Sequence, residues 1–162
     1  MTREMSDAAL REQLRKLLDW EDAHASFDHA IKDIDPKLRG VVPPGLSHSA
    51  WQLLEHLRRC QWDILDFCRN PKYKEPASMK EYWPSSAAPK NAAEWNESVA
   101  AFRHDRDELK RLAADSKIDL FDRIPHGSGQ TYLRELLLVA DHNAYHVAQI
   151  VDVRRALKDW KS

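Results

Sequence analysis

Apolar residues recur every three or four positions along four long segments of this chain, the spacing of helices that bury one face. The first segment extends from about Ser6 to Ile34, where Asp35 and Pro36 interrupt the pattern. Its recurring apolar positions are Leu10, Leu14, Leu17, Leu18, Phe27 and Ile31. We therefore expect one long first helix, followed by a loop at 39–45 that is rich in glycine and proline.

The second segment begins at Ser47 or Ser49, since either serine suits the N-cap position, and it ends at Asn70 before a proline. The residues that follow, 71–90, contain four prolines and three aromatic side chains. This composition is too rich in proline for a helix and too aromatic for a disordered linker. We expect an ordered loop packed on the helices, and Trp83 within it is a candidate for lining a pocket.

The third segment opens at Asn91 with Glu94 three residues later, the pattern of a capping box, and it fades near Asp115. Thr131 suits the cap of the last segment, which extends to about Trp160. On a helical wheel the last segment is apolar on two sides, which predicts burial on two sides. The pattern as a whole predicts an all-α protein built as a four-helix bundle.

Composition supports this class and excludes others. The length of 162 residues fits one domain over 1–162, and only four glycines are present. The 25 basic residues nearly balance 26 acidic ones without a basic block, which argues against nucleic-acid binding. The first residues are charged, unlike a signal peptide, and no stretch approaches the roughly 18 apolar residues of a membrane span.

The two cysteines, Cys60 and Cys68, lie eight residues apart in the second predicted helix. That spacing separates them by about 12 Å along the helix axis. A disulfide requires Cα atoms within about 7 Å, so these cysteines cannot pair with each other. Two free thiols indicate a reducing cytoplasm as the expected location.

The placement of the histidines suggests chemistry. His142 and His146 lie one turn apart on one helix face, where both imidazoles can reach the same ion. Eight histidines in a chain of this length also produce such a pair by chance. A hydrogen-bonded pair or a surface pair is therefore the alternative interpretation.

His56 lies in the middle of the second helix, beside its apolar stripe. A lone histidine there is usually a core-edge residue, but helical bundles build metal sites from side chains on facing helices. Together with His142 and His146 it forms a candidate site for one divalent metal ion. Three neutral imidazoles leave a coordination position open for water or substrate, as in catalytic sites.

Other residues are candidates for the surroundings of this site. His24 shares a stripe with apolar residues of the first segment, so it either lines a pocket near the metal or has a plain core role. Cys60 is either a fourth ligand, which would make a closed structural zinc site, or a small buried hydrophobe. Asp63, Asp141 and Gln149 either orient the ligands or lie at the surface.

Two segments resemble the DinB/YfiT-like superfamily: WQLLEHL at residues 51–57 and DHNAYHVAQI at residues 141–150. The resemblance covers nearly the whole chain, including the helix order. It implies an up-down-down-up four-helix bundle that is often a homodimer. It also implies a divalent metal, commonly nickel or zinc, on His56, His142 and His146.

The sequence departs from this family where Val147-Ala148-Gln149 replaces the Arg-Gly-Gln of many relatives. The departure leaves the three histidine ligands unchanged. It does affect which substrate contacts near the last histidine can be inferred from the family. Superfamily members include S-transferases and an isomerase that depend on low-molecular-weight thiols. The resemblance therefore implies a metal-dependent enzyme that joins a thiol to a small electrophile. A metal-dependent hydrolase and a non-catalytic stress or ligand-binding protein steadied by the metal are the alternatives.

Overall fold

The computed structural model describes residues 3–161 and shows a bundle of α-helices. The helices are α1 (Arg3–Leu17), α2 (Phe27–Ile31), α3 (Ala50–Arg69), α4 (Ala92–Ala114) and α5 (Tyr132–Ala156). Within the described residues there is no β-strand, and a single bridge pairs Arg123 with Thr131. The predicted all-α class is confirmed.

The prediction of one long helix from Ser6 to Ile34 is wrong, because residues 18–26 are not helical and separate α1 from α2. The apolar spacing lapses in this interval, so the second half has no continuous stripe to bury. Ser26 instead starts a new helix, since its hydroxyl accepts a hydrogen bond from the His29 amide. The first arm of the bundle is therefore a broken helix.

The predicted caps of the later helices are confirmed. Ser49 and Gln52 form a reciprocal capping box at the start of α3, so Ser49 rather than Ser47 is the N-cap. The Asn91 side chain caps α4, but the Glu94 carboxylate accepts from the Lys90 amide instead of the Asn91 amide, so only half of the predicted capping box forms. The Thr131 hydroxyl caps α5. The last helix ends at Ala156, four residues before the predicted end at Trp160.

Helices α3 and α4 run parallel. Ser98 donates a hydrogen bond to the buried carboxylate of Glu55 at 2.6 Å. Nearer the C-terminal ends of both helices, Arg69 pairs with Glu108. Sequence numbers therefore rise together on the two helices. The long segment 70–91 returns the chain to the starting end, which parallel neighbours require.

Helices α3 and α5 are antiparallel. Asn143 donates to Gln61 at 2.9 Å, whereas the rings of His146 and His56 meet at 4.5 Å, so numbers rise on one helix as they fall on the other. Helix α1 opposes α4 in the same way, since Arg11 contacts the Ala113 carbonyl while Asp19, just beyond the end of α1, pairs with Lys110. These directions give the up-down-down-up arrangement that the family resemblance implied.

The interior contains two apolar clusters with a polar layer between them. One cluster includes Phe27, Trp51 and Ile150, and the other includes Leu14 and Leu109. The polar layer lies at the middle turns of the three longest helices and contains Glu55, His56, Gln61, Ser98, Asn143 and His146, all buried. Burial of so many polar groups is unfavourable unless they are bonded to one another or to a ligand, so this layer is the candidate functional site.

Among residues 3–161, no helix is both long enough and apolar enough to cross a membrane.

Candidate metal centre

Three imidazoles converge in the polar layer, one from α3 and two from α5. The Nε2 atoms of His56 and His142 lie 3.2 Å apart. The ring of His146 lies 4.5 Å, between centroids, from each of the other two rings. His56 and His146 are buried, and His142 is partly exposed. The rings of the three histidines that the sequence singled out are therefore neighbours. Among the described residues, however, the group whose donor atoms all lie within 4.8 Å of one another is His56, Cys60 and His142, and His146 does not belong to it.

Hydrogen bonds fix the protonation of two of these rings. The Nδ1 atom of His56 lies 3.1 Å from the Tyr82 carbonyl oxygen, and that of His146 lies 2.7 Å from Oε1 of Gln149. Both oxygens are acceptors, so each Nδ1 carries the proton. Each Nε2 then has a free lone pair, the state in which an imidazole binds a metal.

The donor set fits a divalent ion. A tetrahedral ion with nitrogen bonds of about 2.05 Å holds two nitrogen ligands about 3.3 Å apart, close to the separation of the His56 and His142 nitrogens. Two lone pairs at that distance repel each other unless a proton or a cation lies between them. Imidazole nitrogens of this kind favour zinc, nickel and copper over magnesium or calcium.

Burial also keeps the imidazoles neutral. It lowers the pKa of His56 and of His142 to about 4, and it lowers the pKa of His146 as well. Neighbouring imidazoles add to this effect at His56, where the hydrogen bond to Tyr82 opposes it. At neutral pH the rings are therefore uncharged and do not compete with a metal by binding protons.

The predicted ordered loop covers the site. The indole of Trp83 stacks on the His56 ring with centroids 3.8 Å apart and an angle of 6° between the planes. Its other neighbour is His48, whose ring stacks on it at 4.1 Å. Trp83 therefore lies between two imidazoles and shields one side of His56 from water.

Helix α3 holds this loop in place. Arg59 donates to the backbone carbonyls of Glu81 and Trp83, both at 2.9 Å. Asp63 accepts hydrogen bonds from the hydroxyls of Tyr73 and Tyr82, again at 2.9 Å. Asp63 thus positions the residue whose carbonyl orients His56, although it contacts no histidine ring in the described residues.

Cys60 lies next to the rings, one turn beyond His56. Its Sγ is 3.6 Å from Nδ1 and 3.8 Å from Nε2 of His56. Donor atoms of His56, Cys60 and His142 all lie within 4.8 Å of one another, so this group can hold a metal ion. Burial raises the pKa of Cys60 to about 12, so without a metal the thiol stays protonated.

The remaining sequence candidates are divided. Gln149 contacts His146 as described, whereas Asp141 is exposed. His24 is also exposed and lines a cleft of about 260 Å³ with Ala140 and Val147 of α5. Helical spacing places that face of α5 opposite the histidine face. The cleft also touches Asn143, so His24 lines a pocket beside the polar layer, but no contact joins it to the three rings among the described residues.

Several contributors were missed by sequence reasoning. His48 had no supporting pattern, because its partner Trp83 lies 35 residues away in an irregular loop. The Tyr82 carbonyl is a backbone atom and leaves no mark in the sequence. In the sequence, Asn143 and Gln61 look like ordinary polar positions on helices. In the structure, both side chains are buried.

A four-helix bundle whose central antiparallel helices carry a histidine and cysteine group able to hold a metal ion defines the class of protein. A sequence profile described as the DinB superfamily matches residues 19–150, and the chain belongs to this superfamily. No curated protein and no solved structure matches the chain.

Proposed function

We propose that this protein is a metal-dependent enzyme that joins a low-molecular-weight thiol to a small electrophile, with zinc or nickel on His56, His142 and His146. The observation that carries the proposal is the meeting of three imidazoles, two buried and one partly exposed, of which His56 and His146 have Nε2 free because Nδ1 is hydrogen-bonded. The thiol and the set of three histidine ligands come from the family resemblance, and the contacts among the three rings support that set.

An ion held by three neutral ligands keeps both its charges and, when bound, lowers the pKa of a thiol at its open position. The chain's own groups prepare that position. The Tyr82 carbonyl and Gln149 keep protons on Nδ1 of two ligands, and Trp83 excludes water from one side of His56. The electrophile then accepts the thiolate, and the sulfur–carbon bond forms as its leaving group departs or its double bond takes up a proton.

A cleft of about 240 Å³ is a candidate route for substrate. It is lined by His48, Gln149 and Asp152 together with apolar side chains. His48 stacks on Trp83, and Gln149 bonds His146, so the cleft borders the site through two contacts. Its size suits a small molecule or the tip of a thiol cofactor rather than a polymer.

The test is turnover of model electrophiles by zinc- or nickel-loaded protein, with and without a panel of small thiols. We expect turnover with thiol and none without it, and the loss of activity in the His142→Ala variant. The His24→Ala variant is the matched control, because His24 lies away from the rings. Turnover without any thiol would contradict the proposal and support a hydrolase instead.

Cys60 supports a second candidate function, a closed metal site that mainly stabilises the bundle. A tetrahedral ion places nitrogen and sulfur ligands about 3.5 Å apart, near the 3.8 Å between Sγ of Cys60 and Nε2 of His56. A thiolate ligand would fill the position that a substrate thiol needs. The protein would then be a metal-stabilised binding protein without catalysis.

Cobalt(II) substitution separates the two candidates. A cysteine thiolate ligand gives a strong sulfur-to-cobalt absorption in the near ultraviolet, which the Cys60→Ser variant would lose. The enzyme proposal expects weak visible bands alone, with the same spectrum in the variant. Intense ultraviolet absorption together with a large fall in melting temperature on chelation would favour the structural site.

The assembly and the location of the protein are part of the same proposal. The outer surface of α5 exposes Leu137, Leu138 and Tyr145, which is consistent with the homodimer that the resemblance implies. Cys60 and Cys68 are free, in keeping with a cytoplasmic protein. Light scattering after size exclusion tests the dimer: a mass near 38 kDa supports it, and one near the 18.8 kDa chain mass excludes it.

A further inference from the structure

A chain of buried side-chain amides ends beside His142. The carbonyl of Phe102 accepts a hydrogen bond from Nε2 of Gln61 at 2.7 Å, and Oε1 of Gln61 accepts one from Nδ2 of Asn143 at 2.9 Å. A carbonyl only accepts, so the orientation of both amides is fixed from the Phe102 end. Asn143 must therefore present its Oδ1 as an acceptor.

Two buried atoms in this neighbourhood are unsatisfied. Among the described residues, Oδ1 of Asn143 and Nδ1 of the adjacent His142 both lack a hydrogen-bond partner. Although His142 as a whole is partly exposed, both of these atoms are themselves buried, so water does not readily satisfy them. An unpaired buried polar atom is unfavourable by about 1–3 kcal/mol, which calls for an explanation of the pair.

A neutral His142 cannot resolve this arrangement, because it carries only one ring proton. With the proton on Nε2, it donates to Nε2 of His56, but Nδ1 then faces the Asn143 oxygen as a second acceptor. With the proton on Nδ1, His142 can donate to Asn143, whose side chain lies close enough to oppose the lowering of the His142 pKa, once the two atoms reach hydrogen-bond geometry; the two Nε2 lone pairs then oppose each other at 3.2 Å. A cation between the two Nε2 atoms removes both conflicts together.

We propose that Gln61 and Asn143 are positioning residues that hold the proton of His142 on Nδ1 and so direct its Nε2 toward the metal. This inference rests on the proposed metal site and adds two residues to it. All three histidines then share one design, with Nδ1 donating to an oxygen: that of Tyr82, Gln149 or Asn143. For His142, the orientation of the acceptor is fixed by the relay of hydrogen bonds from the Phe102 carbonyl on α4 through Gln61 to Asn143.

The test compares zinc affinity and imidazole protons in the wild type and in matched Asn143 variants. Asn143→Leu removes the acceptor at similar volume, whereas Asn143→Asp retains an oxygen acceptor. Residues that orient metal-binding histidines typically change metal affinity 10- to 100-fold. We expect Asn143→Leu and Gln61→Leu to weaken zinc binding by that factor, measured by competition with a chromophoric chelator, and Asn143→Asp to stay near the wild type.

Proton NMR of the zinc-loaded protein provides a readout that a merely structural role would not change. The Nδ1 proton of His142 should be protected from exchange in the wild type and lose protection in Asn143→Leu, while those of His56 and His146 persist. Equal zinc affinity and an unchanged His142 proton in Asn143→Leu would overturn the relay. A wild type that binds no zinc or nickel would overturn the proposed function itself, and this role with it.

Discussion

At the scale of single residues, the site depends on which nitrogen of each imidazole carries the proton. In His56 and His146, an oxygen acceptor next to Nδ1 keeps the ring proton on that atom. Burial lowers the pKa of each ring. The sequence could supply the identities and spacing of the histidines, because two lie one turn apart and one lies on an apolar helix. It could not supply the acceptors, since one is a backbone carbonyl in a loop and another depends on a side-chain amide.

Removing Trp83 tests the shielding of His56. We expect the Trp83→Ala variant to raise the pKa of His56 from about 4 toward its ordinary value of 6.5, because burial is the main cause of the lowered pKa. NMR titration of the imidazole in metal-free protein measures this change. Trp62→Ala is the matched control, since Trp62 is half exposed on the same helix. Titration of His56 at an unchanged pH in Trp83→Ala would show that Trp83 does not desolvate the ring.

At the scale of secondary-structure elements, the three later helices were predictable because capping residues mark their starts and apolar spacing continues through them. The first helix was not, because apolar residues recur at helical intervals up to Leu18 and again from Phe27, although Phe27 lies on the opposite side of the helical wheel from Leu18. What separates the two stretches is local bonding: Ser26 caps α2 and also donates to Glu21, contacts that compete with a continuous helix.

Helix α3 also controls the loop at 71–90. We expect the Arg59→Ala variant to increase hydrogen exchange at residues 79–83, because Arg59 bonds two carbonyls there. Hydrogen exchange followed by mass spectrometry measures the change. Arg58→Ala is the control, because Arg58, like Arg59, pairs with Glu55 but has no recorded contact with the loop among residues 3–161. Equal protection of the loop in both variants would contradict the anchoring role.

At the scale of the whole molecule, a polar layer between two apolar clusters makes stability depend on pH. The pKa values of His56 and His142 are about 4 in the folded chain and ordinarily 6.5, so the unfolded chain binds more protons between these pH values. The free energy of unfolding of metal-free protein should therefore fall as the pH drops from 6.5 to 4. The expected loss is on the order of several kcal/mol for the pair.

Urea unfolding at a series of pH values measures this dependence. Asp28 and Glu55 have lowered pKa values, because hydrogen bonds from arginine outweigh the effect of burial, so their titration lies below the window. Burial raises the pKa of Asp63, which opposes the effect of the histidines, but this contribution is the same in the wild type and in the histidine variants. The His142→Gln variant should show a shallower slope between pH 6.5 and 4.5, whereas His24→Gln should keep the slope of the wild type. A flat profile for the wild type would show that the rings are not buried as neutral groups.

The arrangement of the whole bundle brings the rings of His56, His142 and His146 into contact, and the proposal that they bind one metal ion makes metal content the most direct test of the account. Elemental mass spectrometry of protein purified without chelators should find about one zinc or nickel ion per chain in the wild type and a small fraction of that in His142→Ala. The two proteins should have the same helical circular dichroism. A wild type that stays metal-free after incubation with either ion, or a His142→Ala variant that retains a full equivalent, would contradict the central claim.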